Sequence, residues 1–400
     1  MWNLQEEAIE TDDIEALCKW LKHMPKLTQS QQVKMFEDEF AKWQGCEYAV
    51  FVNSGSSANL LLIDAVMRQY NLKRGDRVIV PAVTWATNVS PIIQLGLVPV
   101  FCDVNLYNYS FDTAMLKTLY QKYKPKAIFV THVLGFPAEV DYIQQELGDV
   151  IILEDCCESL GASINGINVG NFGAGSTFSF YWGHHITSVE GGMVCTNDEE
   201  LYKLLVQKRA HGMLRDLPIE YHEWKLEFGR HYHEAFGDFF FAELGYNFRN
   251  TEINAFLGRR QLAKVNSIIN IRNENYKRFC ELVAKYDMLQ PPPEKEGMSS
   301  FALPFVLPGR QRQTTDIILH RQCIETRPFI GGNLLRHKAF EGYGNPSMFP
   351  NAEILTNSGS YIGNNQFITT MQFEDLKKGL DEMFFGYQSE SEMGWDDNVR

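Results

Sequence analysis

The segment YAVFVNSGSSANLLLIDAV, which runs from Tyr48 to Val66, is the part of the sequence that decides the fold class. Its first residues, Tyr48–Asn53, are rich in β-branched and aromatic side chains and predict a buried strand. Apolar residues then recur at helical spacing from Ala58 to Gln69. A strand that leads through a few small residues into a helix is the building unit of an α/β sheet.

The same alternation of strand and helix continues through the first half of the chain. A helical pattern at Phe111–Tyr123 separates two of the later strand candidates, and two amphipathic helices, Thr11–His23 and Ser30–Trp43, are predicted before the first strand. The further strand candidates are Arg77–Val83, Val98–Val104, Lys126–Val133 and Val150–Leu153. We therefore expect a largely parallel sheet with helices on both faces.

The last third of the chain predicts a second, smaller unit. Arg259–Tyr286 has the pattern of a long helix, and the breaker PPPEKEG follows it at residues 291–297. The strand-like stretch FALPFVLPG and the helical segments beyond it predict a smaller α+β domain. We expect N-terminal helices and a large domain over residues 1–265, a small C-terminal domain over 266–386, and a polar, flexible tail over 387–400.

Composition and charge exclude several classes of protein. The hydrophobic fraction of 44% and the charged fraction of 22% are those of a globular chain. The formal net charge of −13 argues against a surface for nucleic acid or for an anionic membrane, although local basic pockets stay possible. The acidic N-terminus has no apolar signal core, and no apolar run approaches the roughly 18 residues of a spanning helix. We expect a soluble, cytoplasmic protein.

The eight cysteines contain no C-x-x-C pair and form no tight cluster in the sequence. In a chain without a predicted secretory signal, such cysteines are reduced thiols in the core or near strands. We therefore expect no bound metal ion and no iron–sulfur cluster.

Small and hydroxylated residues follow the first predicted strand. Gly55, Ser56 and Ser57 stand where that strand passes into the next helix. Backbone N–H groups and hydroxyls at a helix N-terminus favour a phosphate group. The same residues also suit an ordinary N-cap turn, so this stretch alone leaves both interpretations open.

Two other strand ends carry residues that suit a planar ligand. Trp85 follows the second strand and is either a stacking platform or a core residue. Asp155 and Glu158 follow the fifth strand, where a buried carboxylate needs a helix N-terminus, a salt bridge or a protonated ring nitrogen as its partner. Because ligands of open α/β sheets bind at the carboxyl ends of strands, these residues together favour a phosphorylated cofactor that contains a pyridine ring.

The order of these motifs resembles the DegT/DnrJ/EryC1/StrS sugar aminotransferase family, whose members have the aspartate aminotransferase fold (PLP fold type I) and use pyridoxal phosphate. The likeness spans roughly residues 30–385. It rests on four segments, SGSSANLL (54–61), EDCCESLGA (154–162), SFYWGHHITSVEGG (179–192) and GYNFRNTEINAFLG (245–258). The resemblance implies a large domain with a mostly parallel seven-stranded sheet flanked by helices, and a smaller C-terminal α+β domain.

The resemblance also assigns roles within and near these segments. Asp155 takes the position that holds the ring nitrogen, and Glu158 lies where many members have a glutamine beside the phenolic oxygen. Asn247 corresponds to the residue that reaches the phosphate of the partner subunit, which implies a homodimer. The implied cofactor-binding residues are Gly55, Ser56, Ser57, Trp85, Asp155, Glu158, Ser179 and Asn247.

One segment departs from the pattern of the family's aminotransferases. In them a lysine that binds the cofactor covalently stands six residues before the Glu of E-G-G, and counting back from Glu190 gives His184. No lysine occurs from Asn171 to Glu200, so a shift of register cannot restore it. Imidazole cannot hold the cofactor covalently, but with its usual pKa of about 6.5 it can move a proton at neutral pH.

A histidine at this position resembles the branch of pyridoxamine-phosphate-dependent 3-dehydratases of nucleotide sugars. The branch implies a lyase that removes the C-3 hydroxyl of a 4-keto-6-deoxy sugar such as GDP-4-keto-6-deoxymannose, in 3,6-dideoxy sugar and O-antigen biosynthesis. It implies His184 as the acid–base group, non-covalent pyridoxamine or pyridoxal phosphate as the cofactor, and L-glutamate as the amino donor. His185, His211 and Arg327 are candidate substrate contacts, each with an equally simple structural role.

Two alternatives remain open on the sequence. A nucleotide-sugar aminotransferase that uses pyridoxal phosphate would need another group in place of the lysine, such as a buried lysine elsewhere near the cofactor. A non-catalytic homologue that binds sugar nucleotides would be expected to lose Asp155 or the phosphate turn, and both are present.

Overall fold

The computed structural model describes residues 1–218, Tyr221, 239–294 and 296–386. The predicted polar tail, residues 387–400, lies outside the described residues. Within the described part, no helix is both long enough and apolar enough to cross a bilayer.

A seven-stranded sheet forms the centre of the molecule, in the order β1-β9-β8-β5-β4-β2-β3. Neighbouring strands are parallel except at β9, which runs antiparallel to both β1 and β8. The strands of this sheet are β1 (Tyr48–Val52), β2 (Arg77–Pro81), β3 (Val98–Cys102), β4 (Ala127–Thr131), β5 (Ile151–Asp155), β8 (Gly175–Ser179) and β9 (Gly192–Thr196). The mostly parallel seven-stranded sheet expected from the sequence is therefore confirmed.

Helices connect the parallel strands and bury the two faces of the sheet, whose strand residues are almost all buried. The pattern of short apolar strands follows from this double coverage, because neither face meets water. The helices that precede, connect or directly follow the strands of this sheet along the chain are α1 (Thr11–Leu21), α2 (Gln31–Gln44), α3 (Gly55–Gln69), α4 (Ala86–Gln94), α5 (Thr113–Tyr123), α6 (Val140–Glu146) and α7 (Glu199–Arg209).

The C-terminal part contains a three-stranded antiparallel sheet in the order β10-β12-β11. Its strands are β10 (Ala302–Val306), β11 (Thr326–Pro328) and β12 (Gly359–Gly363), and a separate short ribbon pairs β6 (Ser163–Ile164) with β7 (Ile167–Asn168). The remaining helices are α8 (Glu252–Leu262), α9 (Val265–Val283), α10 (Arg312–Arg321), α11 (Pro350–Ser358) and α12 (Thr370–Phe385). The α+β character predicted for this part is present.

The long helix predicted over Arg259–Tyr286 is wrong in its bounds. The structure has α8 and α9 on either side of a break at Ala263 and Lys264. The Lys264 ammonium donates to Glu10 at 2.6 Å and to Asp13 at 3.1 Å, so the N-terminal segment holds the break. Such a tertiary contact leaves no trace in the local periodicity, which continues through both helices.

The N-terminal residues pack on the C-terminal sheet, which the sequence did not indicate. The backbone of Trp2 forms a parallel bridge with Ile324, and its indole N–H donates to the Gly363 carbonyl at 2.9 Å. The expected boundary between the two domains, after residue 265, stays a prediction. Val265 is the first residue of α9.

Candidate active site

Residues beyond the carboxyl ends of the parallel strands meet in a cleft of about 510 Å³. Most of the residues singled out in the sequence line this cleft, namely Gly55, Ser56, Trp85, Asp155, Glu158, Ser179, His184 and Arg327. The four that do not line it are Ser57, His185, His211 and Asn247. Since parallel strands all end at the same edge of the sheet, the side chains that follow them are brought together over long sequence distances.

The N-terminus of α3 forms one end of the cleft. Ser54 caps the helix, because its hydroxyl accepts from the Ser57 N–H at 3.1 Å and donates to the Ser57 hydroxyl at 3.0 Å. A Cβ at Gly55 would lie 2.8 Å from the Ser179 Cβ and 3.3 Å from the Cys157 sulfur, so only glycine permits this approach. The first turn of a 15-residue helix and the Ser56 and Ser179 hydroxyls thus border one small space, which is suited to an anion.

Asp155 is a buried carboxylate at the end of β5, held by neutral donors. Its Oδ1 accepts from the Cys157 N–H at 2.9 Å, and its Oδ2 accepts from the Asn59 amide at 3.1 Å. The Thr177 hydroxyl donates to Asn59 Oδ1 at 2.6 Å and fixes the orientation of that amide. Among the described residues no Lys, Arg or His forms a salt bridge with Asp155, so its charge is available to a cationic group in the cleft.

His184 lies in the loop between β8 and β9 and forms part of the cleft wall. Its Nδ1 is 2.8 Å from the Cys157 carbonyl oxygen, which can only accept, so Nδ1 carries the hydrogen. The lone pair is therefore on Nε2, for which the described part of the chain offers no partner. The pKa of His184 is lowered to about 4, chiefly by burial; the Cys157 carbonyl opposes this effect, and the Arg272 guanidinium adds a smaller lowering effect. At neutral pH the ring is a free base.

His185 faces away from the cleft, into the core. Its side chain is fully buried, and its Nε2 lies 3.1 Å from the Ser299 hydroxyl. The ring packs on Phe301 at a centroid distance of 5.8 Å, and burial lowers its pKa well below the usual value. The structure places His185 in a packing role and does not bring it to the predicted substrate contact.

Glu158 and Arg327 approach the cleft from different elements. Glu158 accepts from the Leu134 N–H at 3.0 Å, and burial raises its pKa to about 8, so its carboxyl group is protonated at neutral pH and can donate a hydrogen bond. Arg327 lies on β11 beside Tyr361 of β12 and is exposed. Trp85 precedes α4 and is 55% exposed, so its ring is accessible from the cleft and not part of the core.

His211 and Asn247 belong to a second cluster outside the cleft of their own chain. Arg249 joins them, because its Nε donates to Asn247 Oδ1 at 3.0 Å and its Nη2 lies 3.2 Å from His211 Nε2. Asn247 is exposed. The sequence named two of these three residues for different reasons, and the structure brings them together.

Several residues that shape the site were missed in the sequence. Asn59 stands within the recognised segment SGSSANLL, four residues after Gly55, and a helical spacing argument would have placed it on the face towards the strands. Gln5 and Arg272 carried no local signal, because they lie far from every strand end in the sequence. Gln5 lines the cleft, and Arg272 is fully buried behind His184.

His132, Glu154 and Cys156 form a possible metal cluster, and hydrogen bonds use its imidazole and its carboxylate. Glu154 accepts from the Gly170, Phe172 and Gly173 N–H groups at 2.7–2.8 Å. His132 Nδ1 accepts from the Ala138 N–H at 3.0 Å, so its Nε2 carries the hydrogen that Glu154 accepts at 3.1 Å. The histidine has no free lone pair, and the cluster is a structural network within the described residues.

Comparisons with known proteins were consistent with this geometry. The model of the DegT/DnrJ/EryC1/StrS aminotransferase family matches residues 8–376. The chain is 37% identical over 360 residues to GDP-4-keto-6-deoxy-D-mannose 3-dehydratase of Yersinia pseudotuberculosis, covering 87% of this chain and 90% of that protein.

Two solved structures of GDP-4-keto-6-deoxymannose-3-dehydratase superpose on the chain with TM-scores of 0.86. One is a histidine-to-asparagine variant with bound GDP-perosamine, 33% identical, and the match covers 95% of this chain and 100% of that chain. The other contains a trapped PLP–glutamate geminal diamine and is 32% identical over the same shares of the two chains.

Proposed function

Because the chain belongs to the DegT/DnrJ/EryC1/StrS aminotransferase family and carries His184 in place of the family's lysine, we propose that it is a nucleotide-sugar 3-dehydratase. Its substrate would be a GDP-linked 4-keto-6-deoxy sugar, and its product the 3-deoxy sugar of 3,6-dideoxy sugar and O-antigen biosynthesis. The observation that carries the proposal is His184 in the wall of the cleft, with its basic nitrogen free. The likeness to the Yersinia dehydratase supports it.

The residues of the cleft fit pyridoxamine or pyridoxal phosphate. The cradle at Gly55 and Ser179 is open to a phosphate, Asp155 is suited to a protonated pyridine nitrogen, and the exposed ring of Trp85 can stack on an aromatic plane. Glu158, protonated at neutral pH, is able to donate to a phenolic oxygen. When bound, the cofactor supplies an amine that joins the 4-keto carbon and a ring that accepts an electron pair.

His184 would serve twice in one turnover. As a free base, its Nε2 would take a proton from the cofactor carbon that carries the amine, and as a cation it would give that proton to the departing C-3 hydroxyl, which would leave as water. Asp155 would hold the protonated ring nitrogen, so that the ring could accept the electron pair that later expels the hydroxyl. Water would then release the nitrogen as ammonia and the sugar in its 3-deoxy-4-keto form, and L-glutamate would supply the amine for the next turnover.

The aminotransferase alternative has no support from the cleft itself. A buried lysine near the cofactor would favour it, and no lysine stands among the described residues that line the cleft. The non-catalytic alternative is also less favourable, because Asp155 and the phosphate cradle are both present and positioned by hydrogen bonds.

The partner subunit is part of the proposal. His211, Asn247 and Arg249 form a polar cluster outside their own cleft, and we propose that it completes the cleft of a second copy by contacting an anionic group. We expect sedimentation at assay concentration to show a two-fold symmetric homodimer. The Asn247→Ala variant should bind the cofactor more weakly and should remain a dimer. A fully active monomer would contradict this assignment.

A further prediction concerns the attachment of the cofactor. Since no lysine stands among the described residues that line the cleft, pyridoxal phosphate should bind without a covalent bond to the protein. Borohydride treatment of the loaded protein, followed by intact-mass spectrometry, should show the unmodified polypeptide. A family aminotransferase treated in parallel is the positive control, and a stoichiometric pyridoxyl-lysine adduct in this chain would rule out the proposed arrangement.

A further inference from the structure

Arg272 of α9 is a buried cation without a carboxylate partner. Its side chain is fully buried, and no Asp or Glu of the described residues pairs with it. It donates instead to neutral oxygens, to the Phe301 carbonyl at 3.0 Å, the His184 carbonyl at 3.3 Å and Gln5 Oε1 at 3.5 Å, and its Nε has no partner. An uncompensated buried charge is costly to stability, so its retention calls for a role.

The position of Arg272 suggests that role, because it stands directly behind the two histidines. One guanidinium nitrogen holds the backbone of His184, and Phe301, whose carbonyl it also holds, packs on the His184 ring at a centroid distance of 5.3 Å. Arg272 therefore holds the main chain of His184 and the main chain of the residue whose ring packs on the imidazole.

Several other titratable groups lie near His184 or line the same cleft. The ring centroid of Tyr181, in the same loop, lies 6.4 Å from that of His184, and burial raises the pKa of the Cys157 thiol well above its usual value. Burial lowers the pKa of His185, the neighbour in sequence, and the carboxyl groups of Asp155 and Glu158 line the cleft. Among the described residues, Arg272 is the charged group that lowers the pKa of His184, with a smaller effect than burial.

We propose that Arg272 is a positioning residue whose positive charge adds to the effect of burial, which keeps His184 a free base between turnovers and makes its protonated form a strong acid. A like charge behind an imidazolium disfavours it, so the proton taken from the substrate adduct is readily passed to the departing C-3 hydroxyl. The catalytic part of this inference rests on the proposed function. The effect on the His184 ring does not, because it needs no substrate. The lowered pKa of His184, about 4, agrees with it.

The test is a direct titration of His184 in the intact protein. Histidine labelled with 13C at Cε1 gives one resonance for each of the ten histidines, and the resonance missing in His184→Asn identifies the residue. Arg272→Gln and Arg272→Met both remove the charge, and the methionine fills the space without a polar group, which protects the fold. Asn275→Ala is the matched control, because Asn275 is buried on the same helix and makes two neutral hydrogen bonds.

We expect the midpoint for His184 to rise by on the order of one pH unit in both Arg272 variants and to stay at the wild-type value in Asn275→Ala. An unchanged midpoint in the Arg272 variants would overturn the inference, as would an equal rise in Asn275→Ala, which would assign the effect to loosening of α9. Failure of the proposed function is seen separately, in the product of the wild-type protein.

Discussion

Replacement of His184 by asparagine is expected to lower the rate of 3-deoxy sugar formation by about 10²–10⁴-fold. The asparagine amide can donate to the Cys157 carbonyl as the imidazole Nδ1 does, so the loop keeps its anchor. It cannot accept a proton at neutral pH, so both the removal of the proton and the departure of the hydroxyl lose their catalyst. The measurement is the rate of product formation by mass spectrometry, together with cofactor binding by absorbance.

Two variants sharpen the interpretation of this result. His320→Asn, at an exposed position of α10 outside the cleft, should retain the wild-type rate and controls for the change of residue type. His184→Lys should restore a covalent attachment of the cofactor and suppress loss of the C-3 hydroxyl. If His184→Asn forms the 3-deoxy product at the wild-type rate, the role assigned to His184 is wrong.

Replacement of Asp155 by asparagine should cost on the order of 10³ in rate, because it removes the negative charge proposed to face the protonated cofactor ring. The buried carboxylate accepts from neutral groups, Asn59 and the Cys157 N–H, and forms no salt bridge with another described residue. In the variant the new amide also meets the Asn59 amide donor, which weakens the orientation of both groups. We expect the cofactor to bind more weakly and its absorbance to shift towards the form with a neutral ring.

Asp103→Asn is the matched control for this variant. Asp103 is also a buried aspartate just after a strand of the central sheet, and its carboxylate accepts from the Val104, Asn351 and Ala352 N–H groups. It does not line the cleft. Asp103→Asn should lower the free energy of unfolding and leave the absorbance of the bound cofactor unchanged. Equal losses of rate in the two variants would show that Asp155 acts through stability and not through its charge.

Much of the fold follows from local patterns in the sequence. The five strands predicted in the first half of the chain are all present. They could be predicted because a strand that is buried on both faces consists of a short run of apolar residues. Three of them, those predicted to end at Val83, Val104 and Val133, stop two residues earlier. There the apolar composition continues while the chain leaves the sheet, so composition alone could not show where pairing ends.

The candidate site was predicted where it depends on strand ends and was missed where it depends on distant packing. Asp155 follows from its place after a strand, whereas Ser179 and His184 follow from the resemblance to the family's lysine segment and its spacing to E-G-G. Arg272 reaches the site from a helix and lies 88 residues after His184 in the sequence. No local pattern indicates such a contact. His185 shows the converse, because the sequence left it open between a substrate contact and a packing role, and its ring is buried in the core.

The central claim is that a histidine in place of the lysine directs this family member to elimination at C-3, and the product of the wild-type protein tests it most directly. The protein, loaded with pyridoxamine phosphate, is incubated with GDP-4-keto-6-deoxymannose and L-glutamate, and the nucleotide sugar is analysed by mass spectrometry. We predict a sugar that has lost one oxygen atom and carries no nitrogen from glutamate. A 4-amino sugar that retains its C-3 hydroxyl would contradict the claim.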